Sequence, residues 1–190
     1  MTLKKKIIIT GGLGYIGTEL CKLYSGVSWH HNISVIDNRF ISERVNQIRN
    51  WNMEFIQGDI LDKDLVKRVC KDADVVHHLA GITQVPRTKS ESSLDNDKKI
   101  KEVGEKGTQN ILDAIDDKCK IIFPSTHVVY EGIDEVKKDI KEDEVTKPVL
   151  SYSSSKAINE EQLKKSGKNY IILRLGSVYG YSTDSMRIDI

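Results

Sequence analysis

Near the amino end of the chain stands Thr10-Gly11-Gly12-Leu13-Gly14-Tyr15-Ile16-Gly17, with the apolar run Ile7-Ile8-Ile9 before it and a helix-period segment, Tyr15 to Tyr24, after it. No other stretch constrains the fold as tightly, because a strand, a glycine turn and a helix in that order make a phosphate site. Gly11 permits the tight turn out of the strand. Gly14 has no Cβ to keep the backbone from a pyrophosphate, and Gly17 lets the helix pack close against the sheet. Unpaired N–H groups of the first helical turn and the positive end of the helix dipole then face the anion. The spacing is Gly-x-x-Gly-x-x-Gly rather than Gly-x-Gly-x-x-Gly, and glycines this close can also be mere punctuation. The strand and helix on either side favour dinucleotide binding.

The rest of the chain alternates in the same way. Ile33-Ser34-Val35-Ile36-Asp37 reads as a second strand, and a carboxylate at its tip can accept both ribose hydroxyls of adenosine while repelling a 2′-phosphate. NAD is therefore favoured over NADP, although Arg39 could reverse the preference by swinging toward the ribose. Further strands are predicted at Met53 to Gln57, Asp74 to Gly81, Cys119 to Phe123 and Tyr170 to Leu175. Helical spacing marks Leu61 to Cys70, with Asp62 as its cap, and Ser151 to about Lys165. A longer helical region from Ile100 to Ile115 is expected to be interrupted by Gly104 and Gly107. A polar loop is expected between Ile82 and Asn96, and a solvated loop with room for a short hairpin over Glu131 to Lys147. Such alternation predicts a doubly wound α/β fold of Rossmann type: a parallel sheet, right-handed crossovers and helices on both faces. Ligands of these sheets bind beyond the carboxyl ends of the strands.

Composition excludes other classes. The 190 residues suit one ordinary domain, and a formal net charge of +1 gives no global reason to bind nucleic acid or an anionic membrane. The short basic cluster Lys4-Lys5-Lys6 reads as a solvated flank. The apolar run behind it is too short for a signal peptide or a membrane span, so the expected location is cytoplasmic. Cys21, Cys70 and Cys119 are widely spaced and read as ordinary thiols of a reducing compartment. Neighbours on a strand point to opposite faces, so neither His30-His31 nor His77-His78 makes a metal site, and no metal is expected.

Tyr152 and Lys156 carry the chemistry. On one helix this spacing puts them on a shared face, where the ammonium can stabilise the phenolate and bring its pKa down from about 10. Tyr152 could then take a proton from a substrate hydroxyl as hydride leaves the same carbon. Chance supplies such a pair readily, and the bland reading is an exposed helical neighbour. Order along the chain argues for more: a glycine turn at the first strand, an acid at the second, hydroxyls at the end of the fifth (Pro124-Ser125-Thr126), and Tyr-x-x-x-Lys opening the next helix.

These motifs, with Asp37-Asn38, Asp59-Ile60, His78-Leu79-Ala80-Gly81, Val129-Tyr130 and Leu173-Arg174 through Tyr179-Gly180, resemble the extended short-chain dehydrogenase/reductase family of NAD-dependent sugar epimerases and dehydratases. The resemblance implies that Tyr152 is the acid/base, that Lys156 lowers its pKa and holds the nicotinamide ribose, and that Thr126 bonds the reacting hydroxyl. It also implies that Tyr15 and Ile16 offer backbone amides to the pyrophosphate. Asp59 and Ile60 would contact the adenine, while Leu79, Ala80 and Gly81 would line the cofactor's path. The substrate implied is a nucleotide-diphosphate sugar, and a homodimer through the helices of Ile100 to Ile115 and Tyr152 to Lys165 is expected on the same ground.

Departures from that pattern narrow the reading. Where 4,6-dehydratases of the family carry an Asp-Glu pair after the catalytic Thr, this chain has His127 and Val128, so dehydration by that route is disfavoured. Val128 also weakens a decarboxylase assignment, and a 4-epimerase is favoured. Gly104 replaces the Asn usual in the family's Asn-Val-x-Gly-Thr motif, which puts the geometry of that helix in doubt. Residues 1–180 are read as the dinucleotide-binding domain with the catalytic pair, and 181–190 as the start of a truncated or absent substrate-binding region. The abrupt ending Met186 to Ile190 is expected of a fragment of a longer enzyme. The alternative is an NAD-binding module or truncated subunit without turnover.

Overall fold

The computed structural model describes residues 4–83, 93–135 and 137–180. Six strands, β1 (Lys6–Thr10), β2 (Asn32–Asp37), β3 (Glu54–Gln57), β4 (Val75–His78), β5 (Lys120–Thr126) and β6 (Asn169–Leu175), form one sheet in the order β3-β2-β1-β4-β5-β6. Every pairing is parallel. Strand order reverses beside β1, between β1 and β4, so the glycine turn leaves the sheet at the crevice where ligands of such folds bind.

The strand side chains alternate between two cores, as a sheet buried on both faces requires. Ile8, Ile36, Val76, Ile121 and Phe123 face α3 (Lys63–Cys70), α5 (Gly107–Ala114) and α6 (Ser151–Lys165), burying Val66, Val69, Ile111 and Leu163 with them. Ile7, Ile9, Ile33 and Val35 face the other way, onto Cys21 of α1 (Tyr15–Ser25) and Val45 and Ile48 of α2 (Ser42–Asn50). A fully enclosed isoleucine such as Ile8 or Ile36 contributes about 1.5–3 kcal/mol by leaving water. Burial also makes all three thiols inert, pushing Cys21 and Cys70 up to about 12 and Cys119 to about 11.

Most of the expected elements are present, and Asp62 caps α3 by accepting the Leu65 N–H at 3.0 Å. The expected break at Gly104 and Gly107 is instead a change of helical pitch. α4 (Leu94–Lys101) runs into a π turn, Glu102–Lys106, and then directly into α5. Wider winding frees carbonyls that an α-helix would use, and α6 supplies the missing donors: Asn159 Nδ2 to Gly104 O at 3.1 Å and Gln162 Nε2 to Glu105 O at 3.0 Å. A Cβ at Gly104 would stand 2.2 Å from Ser155 Oγ, so that hydroxyl occupies the room an asparagine would need.

Glu131 to Lys147 forms no hairpin among the described residues, yet it is more than solvated loop. The Glu131 carboxylate accepts the N–H groups of Val149 (2.8 Å) and Leu150 (2.7 Å) and the Ser153 hydroxyl, and so anchors the start of α6. Of the polar loop expected between Ile82 and Asn96, the last residues instead open α4, with Ser93 as its cap, while 84–92, like the residues beyond 180, lie outside the described residues.

Candidate active site

The glycine turn is built as its sequence demands. Gly11 has φ +70°, and a Cβ there would stand 2.7 Å from the Ala80 nitrogen, because the ends of β1 and β4 nearly touch. Gly17 packs on the turn itself rather than on the sheet: its Cβ would lie 2.4 Å from Gly11 O. Gly14 is the N-cap of α1 and no side chain caps that end. The amides of Tyr15 and Ile16 therefore open the helix beside a residue with no Cβ, a cradle that fits a pyrophosphate.

Beside it stands Asp37, which is buried. Its Oδ2 accepts the Leu13 N–H at 3.0 Å, and its Oδ1 accepts the backbone N–H (3.0 Å) and Nε (3.2 Å) of Arg39. Asn38 Nδ2 reaches Asp59 Oδ2 at 3.1 Å, and Asp59 Oδ1 takes the Leu61 N–H at 2.9 Å. Ile60 has its side chain in the core against Gly107, and its carbonyl accepts from Asn110 at 2.9 Å. Asp37, Asn38 and Asp59 thus share the edge beyond β2 and β3, whereas Ile60 presents no side chain to it.

The third wall follows β4. Leu79 N–H donates to Thr10 O and Ala80 N–H to Thr10 Oγ1, each at 3.1 Å, while Gly81 has open space around it. Below them the buried His78 bonds Thr10 Oγ1 through Nδ1 (3.0 Å) and Thr108 Oγ1 through Nε2 (3.1 Å). Burial first, and the nearby Lys156 charge second, lower its pKa to about 3. It stays neutral and puts no second positive charge near that lysine.

A packed column leads from His78 to α6. The His78 and Phe123 rings lie 5.7 Å apart, and the Lys156 ammonium sits 4.4 Å over the Phe123 ring. Lys156 Nζ donates to Pro124 O at 2.8 Å and lies 6.0 Å from the Tyr152 ring centroid. Burial lowers the Lys156 pKa to about 8, against an upward pull from Glu160. Thr126 ends β5 close by, nearly buried, its Oγ1 accepting the Val128 N–H at 3.3 Å. Tyr152, Lys156 and Thr126 therefore share the sheet edge from which the glycine turn leaves.

Three charged residues that matter here were not singled out from sequence. Glu160, fully buried, accepts the Ser125 hydroxyl at 2.5 Å and is gripped by Arg174 through Nη2 (2.6 Å) and Nε (3.0 Å). Burial alone would raise its pKa, but the bonds from Arg174 and Ser125 and the guanidinium charge hold it below the usual carboxylate value. Its signal was the spacing Tyr152, Lys156, Glu160 on one helical stripe. Arg44, buried beneath the glycine turn, donates to Leu13 O, and Glu131 anchors α6 as described. Among the described residues no cluster of His, Cys, Asp and Glu could hold a metal, and no helix is long and apolar enough to cross a membrane.

The geometry has close counterparts in known proteins. The family model of the NAD dependent epimerase/dehydratase family matches residues 7–189. The UDP-N-acetyl-alpha-D-glucosaminuronate decarboxylase of Bacillus cytotoxicus is 35% identical over 67% of this chain and 38% of its own length. A putative UDP-glucose 4-epimerase of Methanocaldococcus jannaschii is 31% identical over 94% of this chain and 57% of its own. Among solved structures, the UDP-glucuronic acid 4-epimerase of Bacillus cereus in complex with NAD superposes with a TM-score of 0.74 at 27% identity, over 92% of this chain and 57% of that one. The chain thus spans between a third and three fifths of the length of these relatives.

Proposed function

The chain belongs to the NAD dependent epimerase/dehydratase family, and from that premise we propose that it is the cofactor-binding and proton-handling part of a nucleotide-sugar 4-epimerase. The observation that carries this reading is the Lys156 ammonium, held between Phe123, the Pro124 carbonyl and the Tyr152 ring on the edge that bears the glycine turn. NAD would supply the hydride acceptor and donor at a sugar hydroxyl carbon, which passes through a keto intermediate. It would lie with its pyrophosphate at Gly11, Gly14, Tyr15, Ile16 and Gly17, its adenosine by Asp37, Asn38, Asp59 and Ile60, and its length along Leu79, Ala80 and Gly81.

The proton work falls to the chain's own side chains. Tyr152 takes the proton of the reacting hydroxyl and returns it, and Lys156, positive and close, stabilises the phenolate between the two events. Thr126 orients the hydroxyl from the end of β5. Epimerisation is preferred to water loss or decarboxylation because the positions after Thr126 are His127 and Val128, neither of them a carboxylate. Against decarboxylation the breadth of the match counts too, 94% of the chain for the epimerase relative and 67% for the decarboxylase. A cytoplasmic setting, in keeping with three reduced thiols, and a homodimer through α4, α5 and α6 complete the reading.

The test is to mix the chain with NAD and a panel of UDP- and GDP-sugars and to resolve the sugars by chromatography. An epimer that disappears with Tyr152→Phe, by about 100-fold or more, supports the assignment. Tight NAD binding with no product from any sugar would instead mark a binding module without turnover.

A further inference from the structure

We infer that Glu131 is a positioning residue for the proton step: it ties the turn that begins at Thr126 to the chain on both sides of Tyr152, and so sets the gap between those two hydroxyls. The inference rests on the roles proposed above for Tyr152 and Thr126, and it adds a residue that acts through them.

The need arises where α6 begins. Tyr152 is the second residue of that helix, and the N–H groups of a first turn find no partner within the helix, so a cap fixes the turn. Leu150, in the capping position, has no side-chain acceptor, and the first turn holds no acid. Ser153 reaches back to accept the Leu150 N–H at 3.2 Å, and its own proton goes to the Glu131 carboxylate. Lys156, a turn further in, is fixed by the sheet through Pro124 O.

Glu131 brings the outside grip from the end of β5. Thr126 Oγ1 accepts the Val128 N–H at 3.3 Å, opening the 3₁₀ turn His127–Tyr130, and the Glu131 N–H closes it on Val128 O at 3.1 Å. Backbone bonds then join this turn to the segment before α6: Lys147 N–H donates to Val129 O and Gly132 N–H to Lys147 O, each at 2.8 Å. Pro148, which follows, has no N–H to extend them. The carboxylate carries the contact past it, since a single oxygen, Oε1, accepts from Val149, Leu150 and the Ser153 hydroxyl. Two of these donors precede Tyr152 and one follows it. A negative charge at the positive end of the helix dipole strengthens the hold. Burial would raise the Glu131 pKa, but the Ser153 hydroxyl and the two N–H groups hold it below the usual carboxylate value. Thr126 and Tyr152 thereby stand on two arms of one frame, with Glu131 at the joint.

The test is steady-state epimerisation at saturating NAD by the parent, Glu131→Ala and Glu131→Gln, beside calorimetric NAD titrations. A misplacement on the order of 1 Å can cost about a hundredfold, so kcat in Glu131→Ala should fall by about tenfold or more. The sugar KM and the NAD dissociation constant should stay within about threefold of the parent's. Glu131→Gln keeps an acceptor oxygen for the same donors and should recover most of the loss. Glu131 is exposed, so both variants should fold, which circular dichroism verifies. A kcat in Glu131→Ala within about threefold of the parent's, an equal loss of NAD affinity, or a Gln variant as poor as the Ala one would overturn the inference. A parent that epimerises none of the sugars overturns it together with the reading above, whereas activity that needs Tyr152 but not Glu131 sinks this inference alone.

Discussion

Raising the pH through 8 should weaken NAD binding while making the chain more stable, two effects of opposite sign from one group. Burial depresses the Lys156 pKa from 10.5 to about 8, so between those values the folded chain has shed a proton that the unfolded chain still holds. Stability rises with pH wherever the unfolded state binds more protons, so this group's unfavourable contribution is complete below about 8 and is relieved as pH climbs toward 10.5. At about 1.4 kcal/mol per pH unit, the step from 8 to 9.5 relieves about 2 kcal/mol. The residue as a whole is only part-buried, which makes that figure a ceiling. In a domain of this size it corresponds to a Tm rise of at most about 4–8 °C relative to Lys156→Met, whose baseline absorbs every other titrating group. If Lys156 holds the cofactor ribose as proposed, the ammonium would lose over the same interval a charge-assisted bond worth about 1.5–3 kcal/mol, and the NAD dissociation constant should grow by about tenfold or more. Calorimetric NAD titrations and thermal melts at pH 7 and 9.5 on parent, Lys156→Met and Tyr152→Phe measure both slopes, the last variant removing any contribution from the phenol. Affinity and stability that move together, or a Lys156→Met chain with the parent's slopes, would refute the reasoning.

Removing one half of the Glu160–Arg174 pair should cost far more than removing both: Glu160→Ala leaves a largely buried guanidinium uncompensated, at about 3–5 kcal/mol in urea unfolding, and Glu160→Met with Arg174→Met should recover most of that loss. An equal cost in the single and double variants would show that the pair does not act as a unit. Gly17→Ala should abolish tight NAD binding and lower Tm by several degrees, because its methyl would lie 2.4 Å from backbone that has nowhere to move. Unchanged melting and binding would mean that the turn is looser than described.

How much of this was legible depended on how local each cause is. The glycine turn could be read because a positive φ at Gly11 and a capless helix start are written into adjacent residues. Asp37 and the Tyr152–Lys156 stripe could be read because strand and helix periods set which face a residue takes. α2 was not singled out, since only Val45 and Ile48 mark its inner face and its other buried anchor is Arg44, a residue type that pattern reading assigns to solvent. Glu160 hid for the same reason: it becomes internal only because an arginine from β6 comes to meet it. Glu131 is exposed, and what hid its role is that the helix start it anchors lies many residues away. The pitch change at Glu102–Lys106 was misread as a break because its compensating donors, Asn159 and Gln162, belong to another helix.

That last arrangement has an evolutionary consequence. The missing side chain at Gly104 and the hydroxyl of Ser155 fill one volume between them, so neither position can drift alone: a lineage restoring asparagine at 104 must first, or at once, shrink residue 155. Position 155 directly precedes Lys156. The two helices are therefore keyed like a lock's wards, and any graft that swaps α6 between relatives without its partner at 104 would displace the Lys156 amine from its place over Phe123.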